Sequence, residues 1–181
     1  MSRPDERTAR FEHLYTLHRR DLLAYFLRRA APADAADLLS ECFVVAWRRI
    51  DVIPGGLNGR LWLFGVARNV LSNHQRAEQS SRHLAGELQL ALSTAAETAA
   101  SDVSVAVVVR EALEALGDAD REVMMLTVYE ELTPTEIAEV TGRSRASVRV
   151  RLHRARRKLT RELDDLRVVR TDAPTPATLP A

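Results

Sequence analysis

Apolar side chains recur along much of this chain at helical spacing, every three to four residues. The first stripe, Phe11, Leu14, Tyr15, His18, Leu22, Tyr25 and Phe26, predicts a helix over residues 9–29 with an arginine-rich outer face. Ala31, Pro32 and Ala33 break it. Asp34 then offers a cap for a second helix, DAADLLSECFVVAWRRI, which turns Leu39, Cys42, Phe43, Ala46, Trp47 and Ile50 inward. Asp37, Ser40, Glu41, Val44 and Arg48 are left facing outward. Pro54, Gly55, Gly56 and Gly59 mark a loop, and GRLWLFGVARNVLSNHQR reads as a third helix, with Leu63, Val66, Ala67, Val70 and Leu71 inward and its end near Arg76. From residue 77 to 102 the pattern weakens into Ala, Ser, Thr, Glu and Gln, the composition of a linker.

Periodicity returns in two helices, over 105–116 and 119–131, punctuated by Gly117. Thr133, Pro134 and Glu136 then spell a capping box with proline at the first helical position, so a short helix starts there and carries Ile137, Ala138 and Val140. Gly142 ends it, and Ser144 can cap the next, whose buried stripe is Val148, Leu152, Ala155 and Leu159. Helix, sharp turn, helix is the outline of a helix-turn-helix. The tail TDAPTPATLPA is proline-rich. The expected fold is all-α: two small helical domains joined by a flexible linker, the C-terminal one a helix-turn-helix, with boundaries at 9–76, 77–102 (linker), 103–168 and 169–181 (disordered tail).

Charge changes this picture more than composition does. At 181 residues, 46% hydrophobic and 28% charged, the chain is an ordinary globular one, and its net charge is only +1. Yet residues 143–161 hold eight arginines, one lysine and no acid, whereas Glu111, Glu114, Asp118, Asp120, Glu122, Glu130, Glu131, Glu136 and Glu139 make the preceding stretch acidic. A cationic face on an exposed helix suits phosphates and guanine edges. Because all basic residues except Lys158 are arginine, it is their clustering rather than their number that is informative. Cys42 is the only cysteine, which excludes an internal disulfide and a multi-cysteine zinc site and fits a reducing compartment. No cofactor is expected. No apolar signal core follows MSRPDERTAR and no apolar run is long enough to span a bilayer, so a cytoplasmic protein without membrane insertion is expected.

Three segments, in order, carry a resemblance to a known family. DLLSECFVVAW (37–47), PGGLNGRLWLFGVARN (54–69) and TPTEIAEVTGRSRASVRVRLHRAR (133–156) resemble the polymerase-binding helix, the minus-ten reader and the minus-35 reader of bacterial RNA polymerase sigma factors, specifically the small two-domain extracytoplasmic-function (ECF) class of the sigma-70 family. The resemblance covers almost all of residues 11–163. It implies a sigma factor that binds core RNA polymerase, through the largest-subunit clamp coiled coil and the flap, and directs initiation at promoter DNA; it does no chemistry itself. A cognate anti-sigma protein is a further partner expected from the resemblance.

On this basis Asp37, Ser40, Glu41 and Val44 are the polymerase-binding candidates, two carboxylates one turn apart beside an outward valine. Ser40 stands where the family more often carries glutamine. Trp62, Asn69 and Asn73 are the minus-ten candidates, because unstacked bases are held by aromatic faces and read on their edges by amides. Trp62 serves equally well as core. Ile53 occupies a position where an aromatic is frequent, and Gly65 one where a basic residue is frequent. In the recognition helix Ser147, Arg149, Val150, His153 and Arg154 lie where such a helix enters the major groove, while Arg151, Arg156, Arg157 and Lys158 are placed for phosphates. His153 is equally a solvated surface histidine.

Two rival readings use the same residues. A stand-alone helix-turn-helix regulator would bind a palindrome as a dimer without polymerase, and the N-terminal motifs count against it. A helical nuclease or phosphohydrolase would place a metal among His13, His18, Asp34, Asp37 and Glu41, but neither His-Glu spacing nor another metal-ligand motif is present.

Overall fold

The apolar stripes assemble as helices packed on helices in a computed structural model, which describes the backbone of residues 3–89 and 111–171 and the side chains of 5–81 and 111–161. In chain order these are α1 (Arg3–Leu27), α2 (Ala35–Arg48), a 3-10 turn (Ile50–Val52), α3 (Gly56–Gln89), α4 (Asp118–Val128), α5 (Pro134–Thr141) and α6 (Arg145–Thr171), with no strand among the described residues. Residues 111–114 add a helical turn before Gly117.

Leu22, Tyr25 and Phe26 of α1, Leu38, Cys42, Phe43 and Ala46 of α2, and Leu61, Leu63, Phe64, Ala67 and Val70 of α3 form the N-terminal core. Tyr25 anchors it, with its ring centre 5.4 Å from that of Phe26 and 5.7 Å from that of Phe64, arrangements that favour ring edges against faces. Two rings predicted to lie inward do not: Tyr15 and Trp47 are 40% and 41% exposed. They belong to an aromatic cluster at one end of the α1–α2 pair, Trp47 5.3 Å from Phe11 and Tyr15 4.8 Å from Phe43, and their outer faces are left open among the described residues. Asp34 also departs from expectation. It occupies the N-cap of α2 but makes no side-chain capping bond, and its carboxylate lies 3.5 Å from the His74 Nε2 atom instead.

α3 runs on to Gln89, through the first half of the stretch whose composition predicts a linker; residues 90–110, which include the start of the helix expected over 105–116, and residues 172–181 lie outside the described residues. In the C-terminal half Gly117 caps α4, its carbonyl accepting from Asp120 and Arg121 at 2.9 Å. The Arg121 guanidinium reaches back to the carbonyls of Leu113, Glu114 and Leu116, satisfying the end of the preceding turn. The capping box forms as predicted: Thr133 Oγ1 accepts from Glu136 N at 3.3 Å, and Glu136 Oε2 accepts from Thr133 N at 2.7 Å. Gly142 takes the left-handed conformation, φ 65°, that closes α5 with little strain only for glycine. Ser144 Oγ accepts from Ser147 N at 3.2 Å, so the second helix starts on its predicted cap.

The two halves do not stand apart. Val123, Leu126, Leu132, Ile137, Val140, Val148 and Leu152 belong to the same buried cluster as the N-terminal core, because α5 packs on α3. Gly65 faces α5 in this packing. A Cβ there would lie 3.9 Å from the Val140 carbonyl oxygen, an ordinary contact distance, so α5 lies directly over this position.

Candidate nucleic-acid and polymerase interface

The outward face of α2 is as the period predicts, with Asp37, Ser40, Glu41 and Val44 all exposed. Ser40 Oγ donates to the Ala36 carbonyl at 2.9 Å and so is committed to its own helix. Beside this face a shallow apolar groove opens between α1 and α2, lined by Phe11, Tyr15, Leu39, Phe43, Val44 and Trp47. Carboxylates rimming an apolar groove make a surface for a protein partner with matching arginines and a greasy ridge.

On α3, Asn69 and Asn73 are exposed one turn apart, Asn73 Oδ1 accepting from Arg76 at 3.1 Å. Trp62 is half-buried and packed on the core, which commits much of its ring to packing. The loop that precedes α3 is pinned: the Ile53 carbonyl accepts from Arg10, Asp51 pairs with Arg7 at 3.2 Å, and a Cβ on Gly59 would lie 2.6 Å from the Pro54 oxygen. Ile53 is buried, so it supports the loop from beneath rather than meeting a base. The apolar side chains presented on either side of this loop are Val52, in the 3-10 turn, and Leu57, in the first turn of α3, 68% and 56% exposed, which the sequence pattern had not singled out. Gly65 faces α5 rather than solvent-borne DNA.

On α6, Val148, Leu152 and Ala155 are buried, which turns Arg149, Val150, His153, Arg154, Arg156, Arg157 and Lys158 to solvent, with Ser147 half-covered. Val150 is an exposed apolar side chain among cations, a combination suited to a thymine methyl between phosphates. Arg151 departs from its assignment. It is half-buried, its Nη1 2.9 Å from Asp120 Oδ1, with Arg154 3.8 Å from the same oxygen. Lys158 Nζ likewise donates to the Ala115 carbonyl at 2.6 Å, so of the residues placed for phosphates Arg156 and Arg157 project without such a tie.

Part of the acidic stretch is drawn into contacts, while Glu111, Glu114, Asp118, Glu131 and Glu139 stay exposed. Asp120 meets α6, Glu122 meets Arg68 of α3 at 2.5 Å, and Glu130 is buried between Arg28 and Arg29. No local signal in the sequence marks these pairs, since each joins residues that are far apart in the chain. The metal-spaced group among the described residues is Asp34, His74 and Glu78, with ligand atoms within 4.8 Å of one another; His13, His18, Asp37 and Glu41 do not come together as the nuclease reading requires. No described helix is long and apolar enough to cross a membrane.

The family model for sigma-70 region 2 matches residues 14–81, and that for sigma-70 region 4 matches residues 106–159. The ECF RNA polymerase sigma factor SigL of Mycobacterium tuberculosis is 30% identical over 162 residues, covering 87% of this chain and 90% of SigL. Among solved structures, CnrH in complex with the cytosolic domain of CnrY superposes with a TM-score of 0.60 at 25% identity, covering 86% of this chain and 88% of that one. RpoE of Bartonella quintana, solved in complex with the anti-sigma factor NepR, shares the fold at a TM-score of 0.65 and 22% identity, over 85% of this chain and 96% of that one. With region 2 built from α1 to α3, region 4 ending in the helix-turn-helix, and a relative matched over nearly its full length, the chain belongs to the ECF sigma factors of the sigma-70 family.

Proposed function

We propose that this sigma factor divides its work among three exposed helix faces. Asp37, Glu41 and Val44 on α2 dock on the clamp coiled coil of core RNA polymerase, and the C-terminal half meets the flap. Asn69 and Asn73 on α3 capture the melted minus-ten strand, with Val52 and Leu57 at the loop edge offering apolar surface to unstacked bases. α6 enters the major groove of the minus-35 duplex with Ser147, Arg149, Val150, His153 and Arg154, while Arg156 and Arg157 hold phosphates. The protein works in the cytoplasm as an initiation factor and catalyses nothing. The observation that carries this reading is the exposure, on one chain, of an acidic and apolar face on α2 together with a solvent-facing amide pair and a basic recognition helix.

A protein partner besides polymerase is part of the proposal. The relative CnrH was solved with the cytosolic domain of CnrY, which supports an inhibitory partner of the anti-sigma kind here. The test of the main reading is run-off transcription with core polymerase on genomic fragments. Specific transcripts are expected with the wild-type chain and their loss with the Asp37→Lys, Glu41→Lys double variant, which also fails to co-elute with core. Unchanged co-elution of that variant would remove the α2 face from the interface.

A further inference from the structure

Where the start of α2 meets α3, three side chains able to bind a metal converge from two helices. His74 and Glu78 stand one turn apart on α3, and Asp34 reaches them from the N-cap of α2. The Oδ2 atom of Asp34 lies 3.5 Å from His74 Nε2 and the Oε1 atom of Glu78 lies 3.9 Å from it, with one ligand atom of each residue within 4.8 Å of the others. All three residues are half-buried. No run of ligands marks the trio in the sequence, because the aspartate comes from a different helix.

Two features of the trio are left unexplained by an ion pair alone. An aspartate at a helix N-cap ordinarily accepts from an amide of the first turn, yet Asp34 makes no such bond and turns its carboxylate toward α3. His74 Nε2 is sealed from water and has no hydrogen-bond partner, although carboxylate oxygens flank it on two sides. An N–H at that atom would be left as a buried unsatisfied donor. As the neutral tautomer with its proton on Nδ1, the ring instead turns the Nε2 lone pair toward the space between the two carboxylates, which is how an imidazole binds a metal.

The size and charge of that space narrow the choice of ion. Bonds of ~2.0 to 2.1 Å from a tetrahedral centre hold ligand atoms roughly 3.3 Å apart, so small swings of the two half-buried carboxylates close the set. Two carboxylates and a neutral imidazole cancel the charge of a dication. Imidazole nitrogen beside carboxylate oxygen suits zinc and its first-row neighbours, whereas Mg2+ and Ca2+ favour sites built of oxygen alone. Three protein ligands leave a fourth position for water.

We propose that Asp34, His74 and Glu78 form a binding site for a divalent first-row transition ion of the zinc kind, which staples the start of α2 to α3. Its role is structural, since an ion that binds the folded chain and not the unfolded one stabilises the fold by mass action. Asp37 follows one turn along α2 and Asn73 immediately precedes His74, so the staple also fixes two exposed helix faces relative to each other. The site stands on its own geometry and does not depend on what those faces bind.

The test is equilibrium dialysis of the full chain, first stripped with a chelator, against Zn2+ alone, followed by metal analysis and thermal unfolding in the same buffer. One Zn2+ per chain and a raised Tm are expected, and Mg2+ should give neither. Asp34→Asn, His74→Gln and Glu78→Gln should each weaken Zn2+ binding at least ~10-fold, because even groups that only support a metal ligand are worth that much. No stoichiometric uptake by the wild-type chain would reduce the trio to an ion pair and overturn the site. Wild-type affinity in all three variants would overturn it equally, by placing the ion elsewhere. Should a variant lose its helical circular dichroism, Co2+ bound to the wild-type chain decides: visible bands of a four-coordinate nitrogen and oxygen site are expected, and a sulfur-to-metal charge-transfer band would assign the ion to Cys42 instead.

Discussion

At the scale of single residues, exposure sorts the arginines of α6 into those that can read DNA and those already engaged. Arg149 projects from the part of the helix that enters the groove, whereas Arg157 lies two turns on. Arg149→Ala is expected to cost about 1 to 3 kcal/mol at the cognate promoter and to flatten discrimination at one or two minus-35 base pairs. Arg157→Ala should instead weaken binding to all sequences and lower the salt slope by roughly one. Salt titrations of promoter binding by holoenzyme, repeated on singly substituted minus-35 elements, separate the two; a uniform loss with Arg149→Ala would reverse the docking. Cys42 gives a second residue-scale expectation. Burial pushes its thiol up to about 12, so native protein at neutral pH should react with iodoacetamide only on the timescale of unfolding, and rapid native alkylation would contradict the packed site. Much at this scale was legible in the sequence: Asp37, Glu41, Asn69 and Arg149 are exposed because the helical period alone sets which way they face. Arg151 was not, since its carboxylate partner lies 31 residues earlier and periodicity says nothing about pairs across helices.

At the scale of elements, helix ends were more legible than helix extents. Thr133 to Glu136 and Gly142 to Ser144 carry their own capping chemistry, so the turn of the helix-turn-helix follows from a dozen residues. Asp34 looks like the same kind of cap, yet its carboxylate is drawn toward His74 of α3, a tertiary competitor that the local sequence does not contain. Thr133→Ala is expected to lower stability by about 1 kcal/mol in denaturant unfolding. Bonds from Thr133 hold the Glu136 carboxyl below the ordinary glutamate range. A depressed carboxyl contributes stability that is present above its unfolded pKa and lost as pH falls through its folded one, so Glu136→Gln should be less stable near neutrality and lack that acid-side decline. An unchanged stability-versus-pH curve would show the box to be idle. In the first turn of α3, Gly59→Ala sets a methyl 2.6 Å from the Pro54 carbonyl oxygen of the preceding loop, which has no flexible end to move. It should lower the melting temperature and impair minus-ten opening, and a fully active, equally stable variant would mean that the loop is more pliant than its bonds suggest.

At the scale of the whole molecule, two helical halves, and in the second an acidic stretch followed by a basic one, are visible in the sequence, but the pairing of some of those acids with arginines of the first half is not. Blocks of charge read as solvated faces until the fold brings Glu122 and Glu130 against Arg68, Arg28 and Arg29, contacts spanning the stretch outside the described residues. Residues two apart on a helix point about 200° from one another, so α4 can direct Asp120 to the recognition helix and Glu122 to α3 from a single turn. Asp120 has a consequence for how the protein finds its targets. A genome offers ~10⁶ to 10⁹ unrelated sites to each promoter, and a regulator that clings to bare phosphates spends its time on the wrong ones. An acid seated beside Arg151 and Arg154 competes with every phosphate those arginines approach, a toll levied equally on random and cognate DNA, and only cognate sites offer base contacts to offset it. Asp120→Asn is therefore expected to bind random duplex several-fold more tightly while gaining less at its promoter, measured as a lower ratio of specific to non-specific affinity at fixed salt. An unchanged ratio would confine Asp120 to packing.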